Sequence, residues 1–304
     1  MTKIIEVDKL SKSYGPVKAV QDISFYVEKG DLFAFLGPNG AGKSTTIDII
    51  TTVLMPDKGT VIVDDLVLGK EDDKIRSSIG VVYQDNLLDR LLTVEENLFF
   101  RAGFYGFNKD RIRESVKNAI LTTGIQDYAK QRYGKISGGQ RRRADITRAL
   151  INTPQILFLD EPTTGLDPQT RKNLWEVIRK LQRDREMTIF LTTHYMEEAA
   201  EADYVVVIDE GKIAARGTPF ELKEKYTSDL LKLSFKDEIK GLSDLADWGI
   251  TYTKAGDQII IRLPHTTDAL PILDRCRENL NGFEVLNGTM DDAFIGITGK
   301  EIRE

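Results

Sequence analysis

A single cysteine, Cys276, is all the thiol chemistry available to this chain of 304 residues. An internal disulfide and a multi-cysteine zinc site are therefore excluded. Cys276 falls in Ile272–Leu280, a stretch with helical patterning, and reads as a core thiol. Long apolar runs are missing as well. Runs such as Ile156–Leu159 and Val205–Ile208 fall far short of the roughly 20 residues a spanning helix needs. The opening residues MTKIIEVDKLSKSYG have no apolar stretch of signal-peptide type, so the expected compartment is a reducing cytoplasm. Positive charge is not in excess. The 42 Lys and Arg stand against 48 Asp and Glu, for a net charge of −6. That balance lacks the basic footprint of a general nucleic-acid binder, and no nucleic-acid partner is expected. No internal repeat or low-complexity tract stands out. Apolar residues, at 41%, suffice for a sizeable core, and the length suits one or two domains.

Short apolar strands alternating with helical patterns supply the architecture. Ile4–Leu10 and Val17–Val27 read as strands with a turn at Ser13–Pro16, and Leu32–Leu36 as a buried strand bounded by glycines and Pro38. A helix is expected from Gly42, with Ile47, Ile50 and Val53 on one face. Thr60–Val63 and Gly80–Tyr83 are further short strands. From Asp85 the texture turns helical, in Leu91–Phe104, Arg111–Thr123 and Ser137–Ile151, so a helical insert is expected over about residues 85–152. Ile156–Asp160, Gln169–Asp184, Thr188–Thr192 and Tyr204–Asp209 then read strand, helix, strand, strand, the rhythm of parallel crossovers. Gly211 turns the last of these into a strand at Lys212–Ala215. The first domain is placed at residues 1–222. Residues 223–304 read as a small α+β accessory domain. Its expected elements are Leu230–Phe235, Leu242–Trp248, Ile250–Lys254, Gln258–Leu263, Ala269–Leu280 and Phe283–Leu286. That β-α-β-β-α-β order matches a ferredoxin-like pattern.

Gly37–Pro38–Asn39–Gly40–Ala41–Gly42–Lys43–Ser44 fits the G-x-x-x-x-G-K-[ST] phosphate loop, with a strand before it and a helix after it. Glycines let the backbone approach phosphate, and the helix N-terminus favours negative charge. Lys43 is placed to reach the β and γ phosphates of ATP. The Ser44 hydroxyl is placed on Mg²⁺, and Thr45 adds a second hydroxyl. Leu157–Leu159 followed by Asp160 and Glu161 describes a buried strand that delivers two carboxylates at its C-terminal edge, where open α/β sheets bind ligands. Asp160 can hold Mg²⁺ through water, and Glu161 can polarise the attacking water.

With these motifs in order, the chain resembles the nucleotide-binding subunit of an ATP-binding-cassette transporter. Ile136–Ser137–Gly138–Gly139–Gln140 is similar to the cassette signature, with isoleucine where leucine is usual. Physically, Ser137 and the two glycines open a helix able to cap a γ-phosphate. The resemblance covers roughly residues 2–222. It implies an α/β P-loop ATPase fold with a mixed β-sheet core and a helical subdomain. It further implies that Tyr14 stacks on adenine and that Gln84 touches Mg²⁺ and the attacking water. His194 would contact the γ-phosphate, and Thr164–Gly165–Leu166–Asp167 would cross a dimer interface. Asp167 is equally suited to cap the helix after Pro168. Two copies would face head to tail, each ATP lying between the phosphate loop of one and Ser137–Gln140 of the other. A separate polytopic permease would carry the cargo, with this chain at the cytoplasmic face of the membrane.

Gln84–Asp89, Leu92–Leu98 and the tail Met290–Gly299 resemble the ATPases of daunorubicin-resistance-type drug exporters, although that group often has methionine where this chain has Gln140. Sodium, lipid, polysaccharide or peptide remain alternative cargoes. The run Arg141–Arg143 is either a solvated helix face or a set of partners for carboxylates near the site. His265 reads as a surface residue. A ribosome- or DNA-acting cassette protein fits less well, because the chain has one cassette and no coiled coil. A P-loop kinase would leave Ser137–Gln140 unexplained.

Overall fold

The computed structural model describes residues 2–299, and the chain divides into two compact units between Thr218 and Pro219. The first unit opens with β1 (Lys3–Tyr14), β2 (Val17–Glu28), β3 (Leu32–Leu36), α1 (Lys43–Ile50), β4 (Lys58–Val63), β5 (Leu66–Val67), α2 (Asp72–Ser78) and β6 (Ile79–Val82). Three helices follow, α3 (Val94–Ala102), α4 (Lys109–Thr123) and α5 (Gly138–Ala149). The alternating pattern then returns as β7 (Ile156–Asp160), α6 (Pro168–Arg185), β8 (Thr188–Thr193), α7 (Met196–Ala200), β9 (Tyr204–Asp209) and β10 (Lys212–Gly217).

Two sheets form this unit. One is antiparallel, in the order β2-β1-β4-β5. The other is mixed, in the order β10-β9-β3-β8-β7-β6, with β10 antiparallel on its edge and every other neighbouring pair parallel. Strands β3, β7 and β8 are buried at every position. Covered on both faces, they are continuous apolar runs rather than alternating ones. The parallel sense fixes the site. The C-terminal ends of β3, β8, β7 and β6 lie on one edge of the sheet, where the phosphate loop, His194, Asp160 with Glu161, and Gln84 fall.

Phenylalanines join the two sheets. Phe25 comes from β2, Phe33 and Phe35 from β3, Phe158 from β7 and Phe190 from β8. Phe190 lies 5.0 Å from Phe33, 5.3 Å from Phe158 and 5.9 Å from Phe35 between ring centroids. Each such ring removes on the order of 150–250 Å² from water, so the cluster is a major share of the core.

The three helices between β6 and β7 have a core of their own, built on residues such as Leu98, Val116, Ile120, Tyr133 and Ala144. Helix α3 starts at Val94 rather than Leu91, because Thr93 and Glu96 close a capping box there. The helix after the phosphate loop ends at Ile50, earlier than its apolar spacing suggests, and Val53 is exposed. Helices α2 and α7 have no counterpart in the sequence reading, since seven and five residues carry little periodicity.

The second unit contains α8 (Pro219–Tyr226), β11 (Asp229–Phe235), α9 (Glu238–Asp247), β12 (Thr253–Ala255), β13 (Gln258–Leu263), α10 (Ala269–Cys276), β14 (Leu280–Leu286) and α11 (Met290–Thr298). Its sheet is antiparallel throughout, in the order β12-β13-β11-β14. Leu231, Leu233, Ile259 and Ile261 pack against Leu245, Ile272 and Cys276. Cys276 is a buried free thiol, and burial pushes its pKa up. Helix α9 starts at Glu238, not Leu242, because the Asp237 carboxylate caps it through the Lys240 N–H. No helix among the described residues is long and apolar enough to cross a membrane.

Candidate nucleotide site

The loop after β3 leaves no room for side chains at its base. A Cβ on Gly37 would lie 2.3 Å from the Ile208 carbonyl oxygen. Gly42 has φ +104°, and a Cβ there would lie 2.4 Å from the Ala19 carbonyl oxygen. Only glycine meets both demands. Gly42 precedes α1 and makes no side-chain cap, which leaves the first-turn N–H groups of that helix directed at the loop.

Lys43 is 4% exposed. Its ammonium donates to the carbonyls of Gly37 (2.8 Å) and Pro38 (3.1 Å), and it lies 3.2 Å from Glu161 Oε1. Burial lowers its pKa, and the nearby carboxylates of Glu161 and Asp160 offset part of that. Glu161 follows β7 in a left-handed conformation, φ +45°, held by bonds from its N–H to the Thr192 carbonyl (3.2 Å) and hydroxyl (3.1 Å). His194 follows β8, with Nδ1 3.4 Å from the same Oε1. Burial pushes the Glu161 carboxyl up, but Lys43 and His194 outweigh it, and its pKa lies below the usual carboxylate value. The site therefore keeps this carboxylate ionised. Asp160 sits one residue earlier, buried at the strand end, and its Oδ1 accepts the Thr192 hydroxyl.

A cleft of about 500 Å³ opens over these groups. Asn39, Gly40, Gly42, Lys43, Ser44 and Thr45 line it from the loop, and Gln84, Glu161 and His194 from the strand ends. Gly37, Pro38 and Ala41 form the loop's base. Thr164, read from the sequence as the start of an interface loop, also lines the cleft, as does Ala19, which the sequence did not single out. Nothing in its local pattern would have identified Ala19, since it lies on β2, which meets the loop only through the fold.

The remaining candidates lie outside the cleft. Tyr14 is exposed at the end of β1. Ser137 caps α5 in a capping box, with its hydroxyl accepting the Gln140 N–H (3.3 Å) and the Gln140 side chain accepting the Ser137 N–H (2.9 Å). A hydroxyl in that role still has its own proton to donate. Asp167 caps α6, accepting the Thr170 N–H at 3.0 Å. Gly139 packs so closely on Thr170 that a Cβ there would lie 2.1 Å from its Cγ2. Gly138–Gly139 and Asp167–Thr170 thus form a second cluster, separate from the cleft.

The arginine run is divided. Arg142 is buried, and its guanidinium meets main-chain carbonyls rather than carboxylates. Arg141 donates to the Ile136 carbonyl, and Arg143 reaches the Asn173 carbonyl only at 3.5 Å.

A glycine-built cradle after one parallel strand, β3, with its lysine paired to a carboxylate at the end of β7, two strands along the same sheet, is the arrangement of a P-loop nucleoside triphosphatase. Within that class the chain belongs to the ABC transporter family, as an ATP-binding, ATP-hydrolysing subunit. The family's sequence model, described as ABC transporter, matches residues 20–164. The chain is 37% identical to the daunorubicin/doxorubicin resistance ATP-binding protein DrrA of Streptomyces peucetius, over 98% of this chain and 93% of that one. It is 34% identical to the Nod factor export ATP-binding protein I of Paraburkholderia xenovorans, over 99% of this chain and 98% of that one. Among solved structures it is similar to the dimeric ATP-binding cassette MJ0796 bound to ADP and Pi, with TM-score 0.63 and 26% identity over 70% of this chain and 98% of the other.

Proposed function

We propose that this chain powers an exporter, working as a head-to-tail homodimer at the cytoplasmic face of a membrane beside a separate permease. The carrying observation is the meeting of Lys43 and His194 at one oxygen of Glu161 inside the cleft. A carboxylate kept ionised there is suited to take the proton of a water that attacks the γ-phosphorus. The bond to the β–γ bridging oxygen breaks, and ADP and inorganic phosphate leave. Lys43 and the loop N–H groups neutralise phosphate charge, His194 holds the γ-phosphate, and Tyr14 stacks on adenine.

The Ser44 hydroxyl, the Asp160 carboxylate and the Gln84 amide oxygen are all hard oxygen donors. One carboxylate among them, oriented by the Thr192 hydroxyl, suits Mg²⁺, which retains water and phosphate ligands. Bound there, Mg²⁺ would supply charge neutralisation on the β and γ phosphates. Gln84 also orients the attacking water.

Ser137–Gln140 and Asp167 act on the ATP of the second copy. Their separation from the cleft within one chain and the dimeric state of the similar MJ0796 cassette support this reading. The first compact unit, ending at Thr218 rather than at the sequence-read bound of 222, is the nucleotide-binding domain, with its helical subdomain at about 85–152. The second unit, from Pro219, is a ferredoxin-like accessory domain, a reading supported by the strand order β12-β13-β11-β14. The cargo is a drug or another hydrophobic compound, as the similarity to a daunorubicin/doxorubicin resistance protein suggests. A second cargo reading stands beside it, because a Nod factor export protein is similar over as much of the chain.

The test is Glu161→Gln. The variant keeps ATP affinity within about threefold, loses turnover by about 100-fold or more, and elutes as a dimer with ATP in gel filtration. Unchanged turnover would remove the role given to Glu161. Expression with the neighbouring permease, scored by which compound gains resistance, separates the two cargo readings.

A further inference from the structure

Helix α5 carries Arg142, Asp145 and Arg148 three residues apart, on one face. Arg142 and Asp145 are 5% and 1% exposed. The two do not pair directly. The Asp145 Oδ2 accepts the Tyr133 hydroxyl at 2.7 Å, while the Arg142 guanidinium is directed at backbone. Its Nε donates to the Pro162 carbonyl (2.7 Å) and its Nη2 to the Asp160 carbonyl (2.8 Å). Its Nη1 donates to the Tyr83 carbonyl and lies 3.5 Å from that of Gln84. One side chain therefore holds both flanks of Glu161 and the segment that carries Gln84. A buried guanidinium is costly to desolvate, and an apolar side chain would fill the space at less cost. What the cation adds is a fixed geometry between two loops, one of which contains the left-handed Glu161.

We propose that Arg142 is a positioning residue for ATP hydrolysis. It ties Gln84 and both flanks of Glu161 to α5, so displacement of Ser137–Gln140 at the head of that helix reaches the hydrolytic carboxylate of the same chain. This rests on the roles given above to Glu161, Gln84 and Ser137–Gln140. In the head-to-tail dimer those residues serve different ATP molecules, so Arg142 links the two sites through the body of each copy.

The experiment uses the full chain with Arg142→Gln, Arg142→Lys, the neighbouring Arg143→Gln and Glu161→Gln. It measures ATP-binding stoichiometry, and kcat per binding-competent site together with KM. Arg142→Gln is expected to lose about tenfold or more in kcat per site, with KM and ATP affinity within about threefold of the parent. Arg142→Lys, which retains the charge but not the fork, should fall between the two, and Arg143→Gln should match the parent. A purely structural role predicts fewer competent sites with normal kcat in each, and that result overturns the proposal. Should Arg142→Gln not fold, a parental kcat per site in Arg142→Lys does the same. Parental turnover in Glu161→Gln would sink the reading of the site itself. Silence there beside an active Arg142→Gln sinks only the present inference.

Discussion

Lys43 shows how much one side chain sets at the residue scale. Its ammonium shapes the loop through the Gly37 and Pro38 carbonyls and holds Glu161 ionised. Lys43→Ala removes both effects. ATP affinity should fall by about tenfold or more in equilibrium binding, since a charge-assisted phosphate contact is lost. Its effect on pH dependence has a definite sign. In the parent, a depressed Glu161 pKa contributes stability above the ordinary carboxylate range and loses it as pH falls. Lys43→Ala removes the largest of the causes that lower this pKa and leaves burial opposed by His194 alone, so the variant has less of that stability to lose as pH falls. Melting temperatures of parent and variant should therefore converge as pH falls through the ordinary carboxylate value of 4.5 and below it; a gap that stays constant there would show that the pair does not govern Glu161. The loop, Asp160 and Glu161 were legible in the sequence because each motif is a local run beside a short apolar strand. Arg142 was not legible. Its partners are carbonyls, which every residue has, and they lie 18 to 59 positions away along the chain.

Single elements followed their local chemistry closely. β7 and β9 span the residues their apolar runs mark, because nothing competes with a buried strand bounded by turns. Helix ends were less legible, since side-chain caps such as Thr93 and Asp237 decide them. Core elements should respond to truncation according to their packing. Phe190→Ala opens a cavity among Phe25, Phe33, Phe35 and Phe158, and should cost about 3–5 kcal/mol in denaturant unfolding. A loss under about 1 kcal/mol would mean that the rings do not interlock across the sheets. The turn between β2 and β3 holds a different kind of cost. Asp31 is half-buried, and burial first, then Asp203 and Glu28, push its pKa up to about 6. A carboxyl with a raised folded pKa binds its proton more tightly when folded, so stability declines as pH rises through the window from about 4 to about 6. Asp31→Asn should thus stabilise by on the order of 1 kcal/mol at pH 7–8, once solvent screening of a half-exposed group is allowed for. At about pH 4 the advantage should vanish. An equal effect at both pH values would trace it to something other than charge.

At the scale of the whole molecule, sequence patterning stopped short of pairing. It marked the strands but not that Leu32 would sit beside Ile189, nor that β9 would flank β3 on the other side. Partners that distant are chosen by which buried faces fit, and each strand's pattern is equally apolar. The same limit applies to the site, whose proposed halves lie on two chains. A mixing experiment decides that point. Gly138→Asp places a carboxylate at the first position of α5, where it suits the helix terminus, meets only the Leu166 side chain at 4.0 Å without a clash, and repels an approaching phosphate. Lys43→Ala disables the loop. Each variant alone should be inactive, because both sites of its homodimer contain the lesion. In the mixed dimer the two lesions fall in one site, and the other receives an intact loop from one copy and an intact Ser137–Gln140 from its partner. Equal, random mixing makes half the dimers mixed, with one good site of two, so up to about a quarter of parental turnover should return. Were each site built within a single chain, every site in the mixture would carry one lesion, and mixing would restore nothing.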